Sequence, residues 1–410
     1  MGARLGLALA VLCLAVLTAP MVTASSAPAP RATVTAGPLA TPAFDGNPCG
    51  HPARDDPSCP TWNRCSRLAS CTGDAPDPTI IKAGAAFLAI STGTPLGNSV
   101  QVLVSDHATS GYHAWPMGQC PTPGGSVACR LRYGSSAFGI DGRQGLPSWT
   151  LPGTQLAPAA AFLDGRWVLY FAGRSGSTGR YCLGVVVLDE RYAGRATAIR
   201  LPTDPTSPPL FIAPPTSTGP LRCEPPSRFG RTMGLVDPSV FVDPVDGTPW
   251  LEYKANDGSS PLAAVLLAQQ LTPDGLHLTG KAHMLLTQDS GSLPWEATIE
   301  NPEMVQIQGR YRLLFSAGLW NTAGYSEAMA TCTGPSGPCR QPNRPFLTST
   351  PTAVGPGGGS VLAEDGVLDM AVAAWDPTCV GYPGQSTPSG CSTGARRLFV
   401  VPLEVSGRPR

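Results

Sequence analysis

The chain is poor in charge. Only 14% of its 410 residues are Asp, Glu, Lys or Arg, against about a quarter in an ordinary soluble domain. The 28 cationic side chains match 28 acidic ones, so the net charge is zero. That balance supplies no basic field to hold a nucleic acid or an anionic membrane. Long helices are also disfavoured. Gly contributes 47 residues and Pro 45, and these interrupt helices at about 1 and 3 kcal/mol each. There is no Cys-x-x-Cys pair, and the five histidines (His51, His107, His113, His277, His283) fit no zinc spacing. Disorder is excluded too, because 42% of the residues are hydrophobic and a disordered chain carries few apolar residues and high net charge. What remains is an all-β protein with many tight turns.

The N-terminus reads as a secretory signal over residues 1–24. It has Arg4 in a short basic region, an apolar run from Leu5 to Leu17, and Val22-Thr23-Ala24 as a small-residue cleavage site. The run is too short for a membrane span. Residues 25–47, rich in Ala, Pro and Thr, read as a linker. Removing Cys13 with the signal leaves twelve cysteines, an even number that in an exported chain predicts six disulfides and an extracellular protein. Short spacing suggests Cys120–Cys129, Cys332–Cys339 and Cys379–Cys391. The other six cannot be paired from spacing.

Residues 48–410 carry an internal repeat. Five segments open with a small or acidic residue beside Pro, then an apolar strand, a turn containing Gly and a second apolar strand. They start at Asp77, Ala157, Asp237, Glu300 and Gly355, which are 80, 80, 63 and 55 residues apart. The turns include Asp164-Gly165, Asp246-Gly247, Gln308-Gly309 and Asp365-Gly366. Asp-Gly between two apolar runs is a strong hairpin signal, because its tight turn needs positive φ at both central residues. A propeller blade takes about 40–50 residues, and long inter-blade loops account for the excess. The pattern predicts a five-bladed β-propeller, with a β-sandwich as the alternative, and the segment Arg396 to Leu403 as a closing strand.

In a propeller the innermost strands line one axis, so residues that begin them meet at one mouth of the channel. Three of the five starting residues are carboxylic: Asp77, Asp237 and Glu300. Carboxyl groups flanking a small pocket suit glycoside hydrolysis, which needs an acid on the leaving oxygen and a second carboxylate across the sugar. A third carboxylate nearby would raise the acid by like-charge repulsion. Glu303 and, more distantly, Glu296 are rivals for the acid. Parity along a strand would point Glu303 away from the face of Glu300. Gly390-Cys391-Ser392-Thr393-Gly394 matches a serine-hydrolase elbow only in pattern, since a strand rather than a helix follows. Gly355 to Gly359 lacks the Lys-Ser/Thr of a phosphate loop.

At these residues the chain resembles glycoside hydrolase family 43, the arabinanases, α-L-arabinofuranosidases and β-xylosidases. The motifs are Asp77-Pro78-Thr79-Ile80-Ile81-Lys82, Val236-Asp237-Pro238-Ser239-Val240-Phe241-Val242-Asp243, Glu300-Asn301-Pro302, Gly309 to Ser316, Gly337-Pro338 and Gly355-Pro356-Gly357-Gly358-Gly359-Ser360. The resemblance implies an inverting glycosidase with Asp77 as general base, Asp237 tuning the acid and Glu300 as general acid. It places Asp77 and Glu300 roughly 6.5–9.5 Å apart. Two positions depart from the pattern. Leu156-Ala157-Pro158-Ala159 lacks the aromatic and the acid usual in blade two, and Gly358 stands where many arabinanases have a metal-binding His. No cofactor and no His-ligated calcium are therefore expected, while a cation held by water or other ligands stays open.

Trp320, Trp115 and Trp149 are candidates to stack on sugar rings, against a packing role for each. The expected partner is a polysaccharide or oligosaccharide, with no nucleic acid and no membrane, and the protein is expected to be a monomer. The alternatives are a glycan-binding propeller without catalysis and a glycosidase for another sugar, such as a galactoside or a D-arabinofuranoside.

Overall fold

A computed structural model describes residues 33–44, 73–92, 100–114, 136–139, 142–202, 207–215, 219–224, 234–256, 263–382 and 394–406. The signal segment, Trp115, Cys120, Cys129 and Cys391 lie outside them, as does the serine-elbow pattern apart from Gly394. Twenty strands form five separate four-stranded antiparallel sheets. Blade one is β2 (Thr79–Ala83), β3 (Ala86–Ser91), β4 (Gln101–Ser105) and β5 (His113–Ala114). Blade two is β6 (Leu156–Leu163), β7 (Arg166–Arg174), β8 (Tyr181–Leu188) and β9 (Phe211–Ile212). Blade three is β10 (Val236–Val242), β11 (Pro249–Asn256), β12 (Ala264–Leu271) and β13 (Leu278–Thr287). Blade four is β14 (Ile299–Ile307), β15 (Arg310–Ala317), β16 (Ser326–Cys332) and β17 (Cys339–Arg340). Blade five is β18 (Val354–Glu364), β19 (Val367–Trp375), β20 (Arg396–Ser406) and, as its outermost strand, β1 (Thr33–Ala36). The fold is a five-bladed β-propeller.

The second strand of each blade is largely apolar because both of its faces are buried. In β7, Leu169 and Phe171 pack with Leu88 and Ile90 of blade one. The intervening Val168 and Tyr170 pack with Leu251 and Tyr253 of blade three. In β15, Leu313 and Phe315 face blade three, while Leu314 faces Met370 and Phe399 of blade five. Period-two alternation thus feeds two different inter-blade cores rather than a core and solvent. Three hairpin turns follow the sequence reading: Asp164-Gly165, Gln308-Gly309 and Asp365-Gly366 each have positive φ at both residues, as a type I′ turn requires, whereas at Asp246-Gly247 only Gly247 does, within a longer loop between Val242 and Pro249.

Of residues 25–47, expected as a linker, the described residues 33–44 contribute to the fold. Thr33 to Ala36 pair with Ser406 to Leu403. Ala43 and Phe44 then fill the core between blades five and one, with the Ala43 amide donating to the Leu398 carbonyl at 2.7 Å. The strand closes the ring between its last and first blades. Arg396 to Leu403 therefore lies in the third strand of blade five, inside the closing strand. An uncharged Ala/Thr/Val stretch reads the same way for a linker and for an edge strand, and only its partner distinguishes them. Cys332–Cys339 is bridged as its spacing suggested. Cys182 pairs with Cys223, tying β8 to the segment after β9, and Cys379 is oxidised as well.

Candidate active site

Four of the five innermost strands, those of blades two to five, enter the axis through a bulge. The ladder register shifts between Leu156 and Ala159, Val236 and Ser239, Glu300 and Glu303, and Val354 and Gly357. The residue before each proline there takes a left-handed backbone: Ala157 at φ 43°, Asp237 at 56°, Asn301 at 49° and Gly355 at 59°; Asp77, before Pro78 in blade one, takes φ 47°. That conformation costs a non-glycine residue roughly 1–2 kcal/mol, and such strain collects where function needs a fixed geometry. An axial cavity is lined by Asp77, Ala157, Asp237, Asn301, Glu303 and Gly358 with their neighbours.

The equivalent position in blade four is therefore Asn301, and Glu300 lies one residue earlier. This corrects the sequence alignment of the five starts. It also changes the reading of Glu303, because strand parity does not carry through a bulge. Glu303 lines the cavity two residues past Asn301, level with Ser239 of blade three, and its Oε1 accepts the Val361 amide at 2.6 Å. Glu296 is fully buried and accepts hydrogen bonds from the Asp289 amide and Gln341 at 2.9 Å each. It anchors a loop.

Asp77 is held on both oxygens. Arg396 Nη1 donates to Oδ1 at 2.9 Å, and Thr92 Oγ1 donates to Oδ2 at 2.8 Å. The Ala157 amide donates to Thr92 Oγ1 at 2.7 Å, so blade two, lacking its acid, contributes a backbone N–H. Arg396 is only 3% exposed. Behind it, buried Asp74 accepts the Arg396 amide at 2.6 Å and the Tyr382 hydroxyl at 3.0 Å. Burial lifts the Asp74 carboxyl to about 7.

The glycines of blade five form the wall against which these groups pack. They lie within β18 rather than in a turn. A Cβ on Gly358 would sit 2.6 Å from Asp77 Oδ1, and one on Gly357 would sit 2.1 Å from the Tyr325 ring. Any side chain at Gly358, a histidine included, would displace the carboxylate. The local residues therefore do not fit a His-ligated axial ion. Among the described residues no cluster of three or more His, Cys, Asp or Glu side chains is set to hold a metal.

Glu300 accepts the Tyr325 hydroxyl at 2.7 Å on Oε1 and the Lys254 ammonium at 2.8 Å on Oε2. Asn301 ties the neighbouring blades together. Its amide N–H donates to Asp237 Oδ2 at 3.2 Å, and its Nδ2 donates to Tyr325 at 3.1 Å. Burial is the main influence on Asp237 and lifts it to about 7, helped by the Glu300 charge and opposed by Lys254. Burial also pushes Glu300 upward, but Lys254, Tyr325 and Arg396 outweigh it and hold the carboxyl below its ordinary range. These influences favour the proton of the pair on Asp237 over Glu300. This is the reverse of the expected tuning, and the cause is Lys254, an ammonium no carboxylate count reveals.

Deeper along the axis, burial lifts Glu303 to about 8 and Glu327 to about 7, and raises Glu252 well above its usual value. Glu327 accepts the Ser316 hydroxyl and the Gly359 amide, both at 2.7 Å. Glu252 accepts the Ser239 hydroxyl at 2.9 Å. Glu303 and Glu327 thereby join blades four and five, and Glu252 braces blade three internally.

Of the aromatic candidates, Trp149 stacks on Phe171 at 6.0 Å in the core between blades one and two, a packing role. Trp320 is half-buried and stacks on Trp375 at 6.1 Å, beside Tyr382. That shelf adjoins Asp74 and Arg396. Sequence reasoning missed Arg396, Lys254, Tyr325 and Thr92. The only signals were a cation heading an apolar strand (Arg396) and another ending one (Lys254).

Three carboxyl groups from three blades, close to the axis of a five-bladed propeller and positioned by buried cations, form the kind of site that glycoside hydrolysis uses. Residues 220–402, which span blades three to five, match the model of Glycosyl hydrolases family 43. The matched segment holds the motifs at Asp237, Glu300 and Gly355, and the motif at Asp77 lies outside it. Solved structures repeat the fold across most of the chain. One is a thermostable family-43 glycoside hydrolase (18% identity, 82% of this chain and 94% of that one, TM-score 0.56). Another is the α-L-arabinofuranosidase of Lactobacillus brevis (17%, 80% and 90%, 0.53). A third is the α-L-arabinanase of Cellvibrio cellulosa complexed with arabinohexaose (16%, 81% and 95%, 0.53). At these identities the likeness is one of fold. A search of curated proteins finds no match to this chain.

Proposed function

We propose that the protein is an exported glycosidase that hydrolyses arabinofuranosidic, or alternatively xylosidic, bonds in a polysaccharide with inversion at the anomeric carbon. The observation that carries this reading is the presence of two differently held carboxylates on blades one and four. Asp77 is fixed on both oxygens by Arg396 and Thr92, as a base that must aim at one water requires. Glu300 sits on another blade with a donor on each oxygen. Asp77 takes a proton from water as its oxygen attacks the anomeric carbon. The bond to the glycosidic oxygen breaks, and that oxygen receives the proton of the Asp237–Glu300 pair through Glu300. Asp77 then returns its proton to solvent and the pair is reloaded. Arabinan is favoured as substrate by two of the structural relatives, an arabinofuranosidase and an arabinanase. Export is supported by the bridges Cys182–Cys223 and Cys332–Cys339, since disulfides persist in oxidising compartments.

The test is hydrolysis of arabinan and of aryl α-L-arabinofuranoside, β-D-xyloside and β-D-galactoside. Cleavage of arabinan and of the arabinofuranoside is the expected result. Silence across the panel from folded protein, with binding on a glycan array, would replace this reading with a glycan-binding propeller.

A further inference from the structure

Lys254 occupies a position that neither folding nor the proposed chemistry explains by itself. It lies on β11, the second strand of blade three, where its neighbours Leu251, Tyr253 and Ala255 are buried apolar residues. Its side chain is 9% exposed and Glu300 is 13% exposed, and their charged atoms meet at 2.8 Å across two blades. Burying an ammonium costs several kcal/mol unless it is well paired, and a pair that is only structural is often no better than two apolar side chains. Lys254 also pairs opposite Val236 in the sheet, beside Asp237. The ammonium thus contacts Glu300 and acts on Asp237 through its charge.

We infer that Lys254 is a positioning residue that decides which of Asp237 and Glu300 holds their shared proton, engaging Glu300 in the empty site and Asp237 once a glycosidic oxygen takes its place. This inference rests on the proposed function for its catalytic consequence, but not for the charge arrangement. Without substrate Lys254 stabilises ionised Glu300, while burial and the Glu300 charge favour the proton on Asp237 against the pull of the Asn301 amide on its Oδ2. An entering leaving-group oxygen needs a donor and displaces the ammonium from Glu300. Lys254 then favours ionised Asp237, and the proton passes to Glu300, which delivers it. No proton is gained or lost until the glycosidic bond breaks. The other charged or titratable groups around the pair are Asp77 on the strand entrance of blade one, Arg396 on β20, and Tyr325 and Glu327 at and within β16. Glu252 lies two residues along β11, turned to Ser239. Lys254 is the cation that donates directly to Glu300.

The sign follows from the charge. Removing the ammonium withdraws support from both carboxylates, so the pair holds its proton to higher pH, and Glu300 gains most. An opposite charge at this distance moves a carboxyl by roughly one to three pH units. Lys254→Met should therefore shift the alkaline limb of kcat/KM upward by roughly that amount, while Lys254→Arg, which keeps the charge, should leave it near wild type. The independent readout is carboxyl titration by carbon-13 NMR, which needs no activity. Glu300 should titrate below its ordinary range in the wild type and above it in Lys254→Met. Lys254→Gln, of similar reach, serves if the Met variant does not fold. An unmoved Glu300 titration in a folded neutral variant would overturn the inference. A shifted titration in a protein with no glycosidase activity would support the charge arrangement and instead overturn the proposed function.

Discussion

Glu300→Gln is expected to lower kcat by about 10²–10⁴-fold on substrates whose leaving group needs a proton, such as arabinan. The effect should be far smaller on a nitrophenyl glycoside, whose leaving group departs as an anion. The dependence on leaving group is the diagnostic feature, because a merely disturbed site would slow both alike. The fold should survive. Gln offers oxygen to one of the two donors, Tyr325 or Lys254, that now hold the carboxylate. The loss of negative charge also has a consequence next door. Glu300 helps hold Asp237 near 7, so in the variant Asp237 should ionise at lower pH and become the counter-ion of Lys254. Equal loss on both substrate types, or no loss on arabinan, would remove Glu300 from the acid role.

Asp77→Ala carries the second large effect, and it acts on stability as well as rate. The base is lost for every substrate, so the rate should fall by about 10²–10⁴-fold regardless of leaving group. Arg396, 3% exposed, is left facing the cavity without its carboxylate. An uncompensated buried charge costs about 3–5 kcal/mol. The melting temperature should therefore drop clearly, by about 5 °C or more. Asp77→Asn should be as inactive but less destabilised, because its amide oxygen can still accept from Arg396. The two variants together separate the role of Asp77 as base from its role as counter-ion. A full-rate Asp77→Ala enzyme would dismiss the role as base, and an unchanged melting temperature the role as counter-ion.

The parts of this molecule that were legible in its sequence are those set by local rules. Gln308-Gly309 and Asp365-Gly366 declare hairpins because two positive φ angles are needed there. Apolar runs such as Trp167 to Phe171 declare strands buried on both faces. Repetition of that unit yields five blades, and the acids at its start yield three carboxyls at one axis. What escaped is what depends on partners far along the chain. Thr33 to Ala36 pairs with residues near 405, and nothing local marks it as a strand. The bulge after Glu300 moved the equivalent position to Asn301 and cancelled the parity argument for Glu303. Lys254 and Arg396 reach the site from second and third strands of other blades. Their charges reverse the order in which the carboxyls hold protons, so the positions of the acids were readable while their ionisation was not. The departures at Ala157 and Gly358 gained physical reasons only from the structure. Ala157 supplies an amide to Thr92, and Gly358 leaves the space that Asp77 occupies.

The most direct test of the central claim is the anomeric configuration of the first sugar released. Proton NMR can follow wild-type enzyme acting on an α-L-arabinofuranoside before mutarotation sets in. If Asp77 activates water opposite Glu300, the β-anomer appears first and the α-anomer only later, by equilibration. An α-anomer at the earliest time would mean a covalent intermediate on a carboxylate and would contradict the roles assigned to Asp77 and Glu300.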